Sequence, residues 1–488
     1  MVSVADAIER LGALAATPPL ARLATAFSAA GHELALVGGP VRDAFLGRPI
    51  TDLDLTTDAR PERTLAIVGP LAATTWDVGR EFGTIGALVD GERVEITTYR
   101  ADAYDGATRK PVVAFGDDLE GDLRRRDFAV NAMALRIAGP APQSAAPVLV
   151  DPHGGLDDLL AGVLDTPTDP EVSFGDDPLR MLRAARFVAQ LGFRVSDRVE
   201  HAMGALATTL AIVSAERSAD ELSKLLRADD PVAGIRLLVD TGLADLVIPE
   251  VPALRLEADE HAHHKDVYEH SLTVLRQAID LEAARELPGA PDLVLRLAAL
   301  LHDIGKPATK RVEGRTVSFH HHDVVGAKLA AKRLRALRFD NDTITSVSRL
   351  IELHLRFFGY SDQAWTDSAI RRYVRDAGQE LERLHILTRA DVTTRNRRKA
   401  ERLEFAYDDL EARIAEVSAA EDLAAVRPEL DGEAIMRILD LKPGPEVGAA
   451  YRYLLDLRLD EGPQGPEEAE RRLLDWWAAR GAGSSGSG

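Results

Sequence analysis

Hydrophobic positions recur with two different periods along this chain, and the change of period divides it. Over residues 31–150, short β-type runs at Leu34–Val37, Asp52–Thr56, Ile85–Val89 and Val94–Thr98 alternate with helical stretches. That mixture predicts an α+β domain around a small sheet. Residues 1–30 carry the three-to-four-residue spacing of an amphipathic helix pair. Beyond Asp151-Pro152-His153-Gly154-Gly155 the helical spacing continues almost unbroken to about residue 478, so the rest of the chain reads as all-α. The Pro-rich stretch 139–147 reads as a loop between the last strands, and residues 481–488, rich in Gly, Ser and Ala, as a flexible tail.

At 488 residues the chain is long enough for about three domains with sizeable cores. Its first segment sets Asp6, Glu9 and Arg10 among short apolar runs, which predicts no signal peptide or membrane helix and suggests a cytoplasmic protein with no membrane partner. There is no cysteine, so disulfide frameworks and thiolate zinc sites are excluded and any metal must rest on His and carboxylates. Aromatics at 5% argue against an extended platform for base stacking. A formal charge of −20 argues against a generally basic surface for nucleic acid, whose phosphates bind Lys and Arg. Local basic clusters stand out all the same: Arg124-Arg125-Arg126, Arg371-Arg372 with Arg375, and Arg395, Arg397, Arg398, Lys399 and Arg402. Each is either a solvated helix face or a phosphate contact. The oligomeric state has no signature.

Two short segments carry candidate chemistry. In Gly38-Gly39-Pro40-Val41-Arg42-Asp43 the paired glycines let backbone N–H groups approach an anion, with Arg42 nearby as a bidentate phosphate donor. In Thr51-Asp52-Leu53-Asp54-Leu55 two carboxylates lie two apart in a β-type run, so both project from one face and invite divalent cations. A phosphate cradle followed by an acidic strand is what transfer of a nucleoside monophosphate needs. Either segment alone is an ordinary turn or strand edge; their order and spacing, GGxVRDxxxGxxxxDxD, are far more specific. The segment resembles the signature of the class II family of the polymerase β superfamily, which contains the tRNA CCA-adding nucleotidyltransferases and the bacterial poly(A) polymerases.

The resemblance extends down the chain. Asp122–Ala132 is similar to the family's second motif, RRDFxxNA, and Asp151–Leu159 to its DPxGGxxDL hinge between head and neck. The stretch from Tyr99 to Asp122 stands where the family has a flexible loop implicated in the final adenosine addition. Asp176–Arg186 resembles the EDxxRxxRxxR helix, with Asp176 where glutamate is usual. The Asp-Asp-Pro start also suits any helix N-terminus, and Asp176 reads as a cap. Asp177 and Arg180, three apart, are expected on one helix face, the carboxylate accepting from an exocyclic amine and the guanidinium donating to ring acceptors. Cytosine and adenine share that amine-and-acceptor pattern, whereas guanine and uracil invert it. Such a pair would therefore accept CTP and ATP without a nucleic-acid template.

The resemblance further implies catalytic carboxylates at Asp52 and Asp54 holding Mg²⁺, which activates the 3′-hydroxyl of a tRNA 3′ end while pyrophosphate leaves. It assigns nucleotide binding to Gly38, Gly39, Arg42, Arg126, Asp177, Arg180, Arg183 and Arg186. A second constellation is separate. Nine of the 13 histidines fall between His261 and His354, and Leu300-Leu301-His302-Asp303-Ile304-Gly305-Lys306 resembles the central motif of the HD metal-dependent phosphohydrolases. That resemblance implies metal ligands at His270, His302, Asp303 and Asp391, a set that suits Mn, Fe, Ni or Zn, with His320, His321, His322 and His354 available for a second ion. A metal-free HD fold kept for packing is the alternative. The expected architecture is a polymerase β-like α+β nucleotidyltransferase head over 1–160, an all-α neck and body over 161–258, an all-α HD domain over 259–400 and a helical region over 401–480. The expected function is CCA addition to tRNA. A poly(A) polymerase, a CC-only or A-only enzyme, and an HD phosphohydrolase or nucleotide sensor with a vestigial head are the alternatives.

Overall fold

The computed structural model describes residues 2–77, 83–101, 114–116, 118–139, 147–256, 266–313, 316–357, 359–360, 365–393, 396–420 and 427–484. It divides into two compact units, Met1–Val247 and Ile248–Gly488. Most of the expected Tyr99–Asp122 loop and of the Pro-rich loop lies outside the described residues, as do His261, His263, His264, Arg395 and the last four residues of the tail.

The first unit opens with helices α1 (Val4–Ala15), capped by the Ser3 hydroxyl accepting from the Asp6 N–H, and α2 (Pro18–Ala29), with proline in its first turn. Their apolar stripes, Ala7-Leu11-Ala15 and Leu20-Leu23-Phe27, are buried. There follow β1 (Leu34–Val37), α3 (Gly39–Leu46), β2 (Leu53–Thr57), α4 (Pro61–Val68), β3 (Thr74–Trp76), β4 (Thr84–Val89) and β5 (Glu92–Thr98). A short pair, β6 (Arg100–Ala101) and β7 (Ala114–Phe115), precedes α5 (Leu119–Arg124), β8 (Ala134–Ala138) and β9 (Val148–Val150). Seven strands form one sheet in the order β3-β4-β5-β2-β1-β8-β9, in which β2 and β5 run parallel and the other neighbours antiparallel. The wholly apolar β1 is buried along its length at the centre, while β2 exposes Asp54 between buried Leu53 and Leu55. Alternation in β2 sends Asp54 to the accessible side, whereas Asp52, expected in the same strand, lies just before it and is exposed.

Helices then take over: α6 (Gly155–Ala161), α7 (Pro170–Asp176), α8 (Leu179–Leu191), α9 (Asp197–Leu206), α10 (Ala215–Leu226), α11 (Pro231–Asp240) and α12 (Ala244–Val247). Helix α8 buries Met181, Leu182, Ala185 and Val188 and packs on α10 and α11. The all-helical expectation misses a two-residue parallel pair, Val163–Leu164 with Arg194–Val195, and a hairpin, Arg311–Glu313 with Thr316–Ser318. Strands of two or three residues are too short to display a period.

The second unit contains α13 (Val267–Ala284), α14 (Leu293–Leu301), α15 (Lys306–Thr309), α16 (His322–Ala336), α17 (Asn341–Leu353), α18 (Asp367–Ala377), α19 (Leu381–Ala390) and α20 (Arg397–Ala420), then helices over Gly432–Leu439, Pro445–Glu461 and Pro466–Ser484. Almost wholly apolar, α14 is buried against α13, α17 and α19. In the Arg371-Arg372 cluster only Arg371 leaves the solvent, while Arg372 stays partly exposed and Arg375 exposed. Arg371 is buried and donates to the Leu459 carbonyl at 3.2 Å, and Arg372 pairs with Asp460 at 2.9 Å. Acidic partners some 90 positions away were invisible to local charge counting. Among the described residues no helix is long and apolar enough to cross a membrane.

Candidate functional site

The strand–turn–helix β1–Gly38–α3 sets the first element. Gly38 adopts φ 71°, a left-handed conformation that a side chain disfavours, and a Cβ there would come 3.2 Å from Arg126 Nη1. The glycine therefore serves both the turn and the approach of Arg126. Arg126 is steadied by Asp122 at 3.2 Å, and Arg42 donates to Asp43 at 2.9 Å and to Asn131 Oδ1 at 2.8 Å.

Beside this turn stand the carboxylates. Asp54 pairs in register with Glu95 on parallel β5. Loss of solvation first, then the charges of Glu95 and Asp52, push the Asp54 carboxyl above its ordinary value, with Arg126 pulling the other way. Asp52, Asp54 and Glu95 thus place carboxylate charge near the Arg126 guanidinium, and carboxylate oxygens are the donors that hard divalent cations such as Mg²⁺ take. Glu95 escaped the sequence reading. Its only signal is the polar position between Val94 and Ile96.

The selection segment differs from expectation. Asp177 is not on the helix: it sits between α7 and α8 with extended backbone, φ −142° and ψ 99°, because Pro178 cannot follow a helical residue without strain. It does not share a helix face with Arg180. The capping role expected of Asp176 falls to Asp177, whose Oδ1 accepts from the Leu179 N–H at 3.2 Å and whose Oδ2 pairs with Arg217 at 3.0 Å. Asp176 closes α7 instead. Arg180 is held against the protein, donating to Ser173 Oγ at 2.8 Å and to the Arg125 carbonyl at 2.5 Å. Burial lowers its pKa, with Asp127 and Asp177 opposing.

Arg183 and Arg186 are organised by two buried acids. Asp127, 8% exposed, accepts from Arg183 Nε at 2.8 Å, from Asn131 Nδ2 at 3.1 Å and from the Phe128 N–H at 2.9 Å. Burial would raise this carboxyl, but Arg183 and the hydrogen bonds outweigh it and hold it below the usual range. Glu221, 3% exposed on α10, pairs with Arg186 at 2.7 Å and approaches Arg183 at 3.7 Å. A continuous chain of contacts, Arg42–Asn131–Asp127–Arg183–Glu221–Arg186, thus ties the glycine turn to α8. Arg217 and Glu221 are four apart on α10 and face the two ends of this segment. Sequence reading missed both.

In the second unit, His270 on α13, His302 and Asp303 after α14, and Asp391 after α19 converge. His270 Nε2 lies 2.9 Å from Asp391 Oδ1 and 3.3 Å from His302 Nε2, and His302 Nε2 lies 3.2 Å from Asp303 Oδ2. The other oxygen of Asp303 lies 3.3 Å from His322 Nε2, and Asp303, His322 and His354 form a second group of ligating atoms within 4.8 Å of one another. His320 and His321 are exposed and join neither group. Each ring is held by its far nitrogen: Nδ1 of His302, His322 and His354 meets the carbonyls of Ala299, Phe319 and Ile351 at 2.9, 2.8 and 2.6 Å, and His270 Nδ1 meets Thr393 Oγ1 at 3.1 Å. That arrangement aims every Nε2 inward, as ligating imidazoles require. Gly305 makes it feasible, because a Cβ there would come 2.1 Å from the His322 carbonyl. Burial opposes protonation of His302, yet Asp303 and Asp391 lift it to about 10, while burial and neighbouring His302 lower His354 to about 4. Buried His354 Nε2 has no hydrogen-bond partner among the described residues. A metal fits: an unsatisfied buried nitrogen beside acids and imidazoles is costly unless something accepts its lone pair.

Comparison with known proteins finds three family profiles along the chain. The profile described as "Poly A polymerase head domain" matches residues 34–165, "Probable RNA and SrmB- binding site of polymerase A" residues 192–254, and "HD domain" residues 267–396. The A-adding tRNA nucleotidyltransferase of Deinococcus radiodurans is 34% identical over 460 residues, 92% of this chain and 96% of that protein. The CC-adding tRNA nucleotidyltransferase of Thermus thermophilus is 32% identical over 92% of this chain and 95% of its own. The crystal structure of the Bacillus stearothermophilus CCA-adding enzyme in complex with CTP shares the fold, with a TM-score of 0.64, 24% identity and coverage of 96% of this chain and 100% of that one.

Proposed function

Because the chain belongs to the tRNA nucleotidyltransferase family, we propose that it adds C, C and A to the tRNA 3′ end from CTP and ATP, without a nucleic-acid template and with release of pyrophosphate. The observation that carries this reading is the unbroken contact chain from Arg42 to Arg186 beside Asp52, Asp54 and Glu95. Asp52 and Asp54, with Glu95 alongside, would hold Mg²⁺, which supplies charge neutralisation at the α-phosphate and a more acidic 3′-hydroxyl. The Gly38 and Gly39 turn, Arg42 and Arg126 face the triphosphate, and Arg183 and Arg186 extend that positive lining along α8. Asp177 and Arg180 read the base edge, Asp177 accepting from an amine that only cytosine and adenine present beside a ring acceptor. The test is tRNA ending at the discriminator base, incubated with Mg²⁺ and each NTP singly and together, with product length read on a gel. Three added nucleotides followed by a stop support the reading. Two C residues, one A only on a CC-ended substrate, or a long A tail each replace it with the corresponding relative's activity.

The second unit favours an additional activity, hydrolysis of phosphoesters at a centre held by His270, His302, Asp303 and Asp391, with His322 and His354 supplying a second ion's ligands. Mixed imidazole and carboxylate donors suit Mn, Fe, Ni or Zn. Metal analysis of the purified protein with a 2′,3′-cyclic nucleotide assay tests it; no transition metal and no turnover leave a packing role for the HD fold.

A further inference from the structure

We propose that Phe187 is a positioning residue whose ring gathers Arg42, Arg183 and Arg186 into one cluster for the triphosphate, an inference that rests on those arginines binding phosphate. Their guanidinium carbons lie 5.4, 5.6 and 4.3 Å from the Phe187 centroid, all within the distance at which an aromatic quadrupole attracts a cation. Three like charges so close repel one another. The carboxylates offset this in part: Asp43 holds Arg42, Asp127 holds Arg183 and Glu221 holds Arg186. Each of those acids belongs to a different stretch of chain, whereas the Phe187 ring lies against all three guanidiniums. The ring itself is fixed. It is 5% exposed and meets Phe128 edge-to-face at 5.7 Å and 86°, and Phe128 follows Asp127 directly in the second sequence motif.

An aliphatic side chain would fill most of the space with no negative face. The inference therefore predicts that the electron density of the ring, beyond its size, sets triphosphate affinity. Full-length protein carrying 4-fluoro-, 3,5-difluoro- or 3,4,5-trifluorophenylalanine at position 187 keeps the shape of the ring while draining the quadrupole. The dissociation constants for CTP and CMP, measured by calorimetry, should diverge. CTP binding should weaken stepwise to about tenfold at three fluorines, and CMP binding should hold constant with the fold intact by circular dichroism. Phe187→Leu should match the trifluoro protein and Phe187→Tyr should restore most of the affinity. No dependence on fluorine number, or equal losses for CTP and CMP, overturns the role of the ring. Arg183→Ala and Arg186→Ala separate the two levels: if they leave CTP affinity unchanged, the phosphate reading fails and the inference with it, whereas weakened binding in both with no fluorine effect removes Phe187 alone.

Discussion

Replacing Asp127 by asparagine tests whether the contact chain behind α8 is a working unit. The change keeps side-chain volume and leaves one oxygen for the Phe128 N–H, but it turns an acceptor facing Arg183 into a donor. Removing one partner of a fully buried ion pair costs about 3–5 kcal/mol. Arg183, however, keeps 34% of its side chain in water and has Glu221 at 3.7 Å, so the expected loss is nearer that of a charged hydrogen bond, about 2 kcal/mol, or roughly thirtyfold in the local opening equilibrium. Hydrogen exchange of α8 amides in the full chain reads this directly. Because Asn131 links Asp127 to Arg42, KM for CTP and ATP should rise about tenfold in the same variant. The carboxyl is held below its ordinary value, so its stabilisation is complete above the unfolded value of about 4 and is lost as pH falls toward the folded one. The parent should lose α8 protection below about pH 4 with a slope that Asp127→Asn lacks. A loss under about 0.5 kcal/mol, or strict additivity with Arg183→Gln in a double-mutant cycle, would refute the reasoning.

Asp52→Ala and Asp54→Ala should each lower nucleotide addition by more than about a hundredfold while circular dichroism and tRNA binding stay near the parent's, since both side chains are exposed; near-normal turnover would remove them from catalysis. Asp177→Ala should cut discrimination against UTP and GTP, or slow CTP and ATP use, by roughly tenfold, the worth of one base-reading pair. An unchanged NTP preference would leave Asp177 as a cap for Leu179 and a partner for Arg217. Changing His302 and Asp303 together to Ala should abolish transition-metal binding and cyclic-nucleotide hydrolysis yet spare Mg²⁺-dependent addition, and metal content with both assays decides it.

What the sequence disclosed was whatever is local. The strands Leu34–Val37 and Val94–Thr98 lie within the observed β1 and β5, the first because a short apolar run suits a buried strand and the second because its polar and apolar residues alternate. The glycine turn, the DxD pair and the HD motif likewise show in a few consecutive residues. Long-range pairing does not. Arg371 and Arg372 read as a solvated face or a phosphate contact, whereas a helix some 90 residues on supplies the Leu459 carbonyl to Arg371 and the Asp460 carboxylate to Arg372. Glu95 joined the carboxylates only through the parallel register of β2 with β5, a crossover pairing that no window along the chain contains.

The same limit explains the error at Asp177. A three-residue spacing places two side chains on one helix face only if both residues are helical, and proline at 178 withdraws the preceding residue from the helix. The consequence reaches beyond one bond. A carboxylate on the helix would be oriented by the helix alone, whereas Asp177, in extended backbone, takes its orientation from the Leu179 N–H and from Arg217. Arg217 and Glu221 rise from one face of α10, so a single helix holds Asp177 at one end and Arg186 at the other. Under the proposed function, base recognition and phosphate binding would both be set by the seating of α10 against α8. Any change in that seating must move both together.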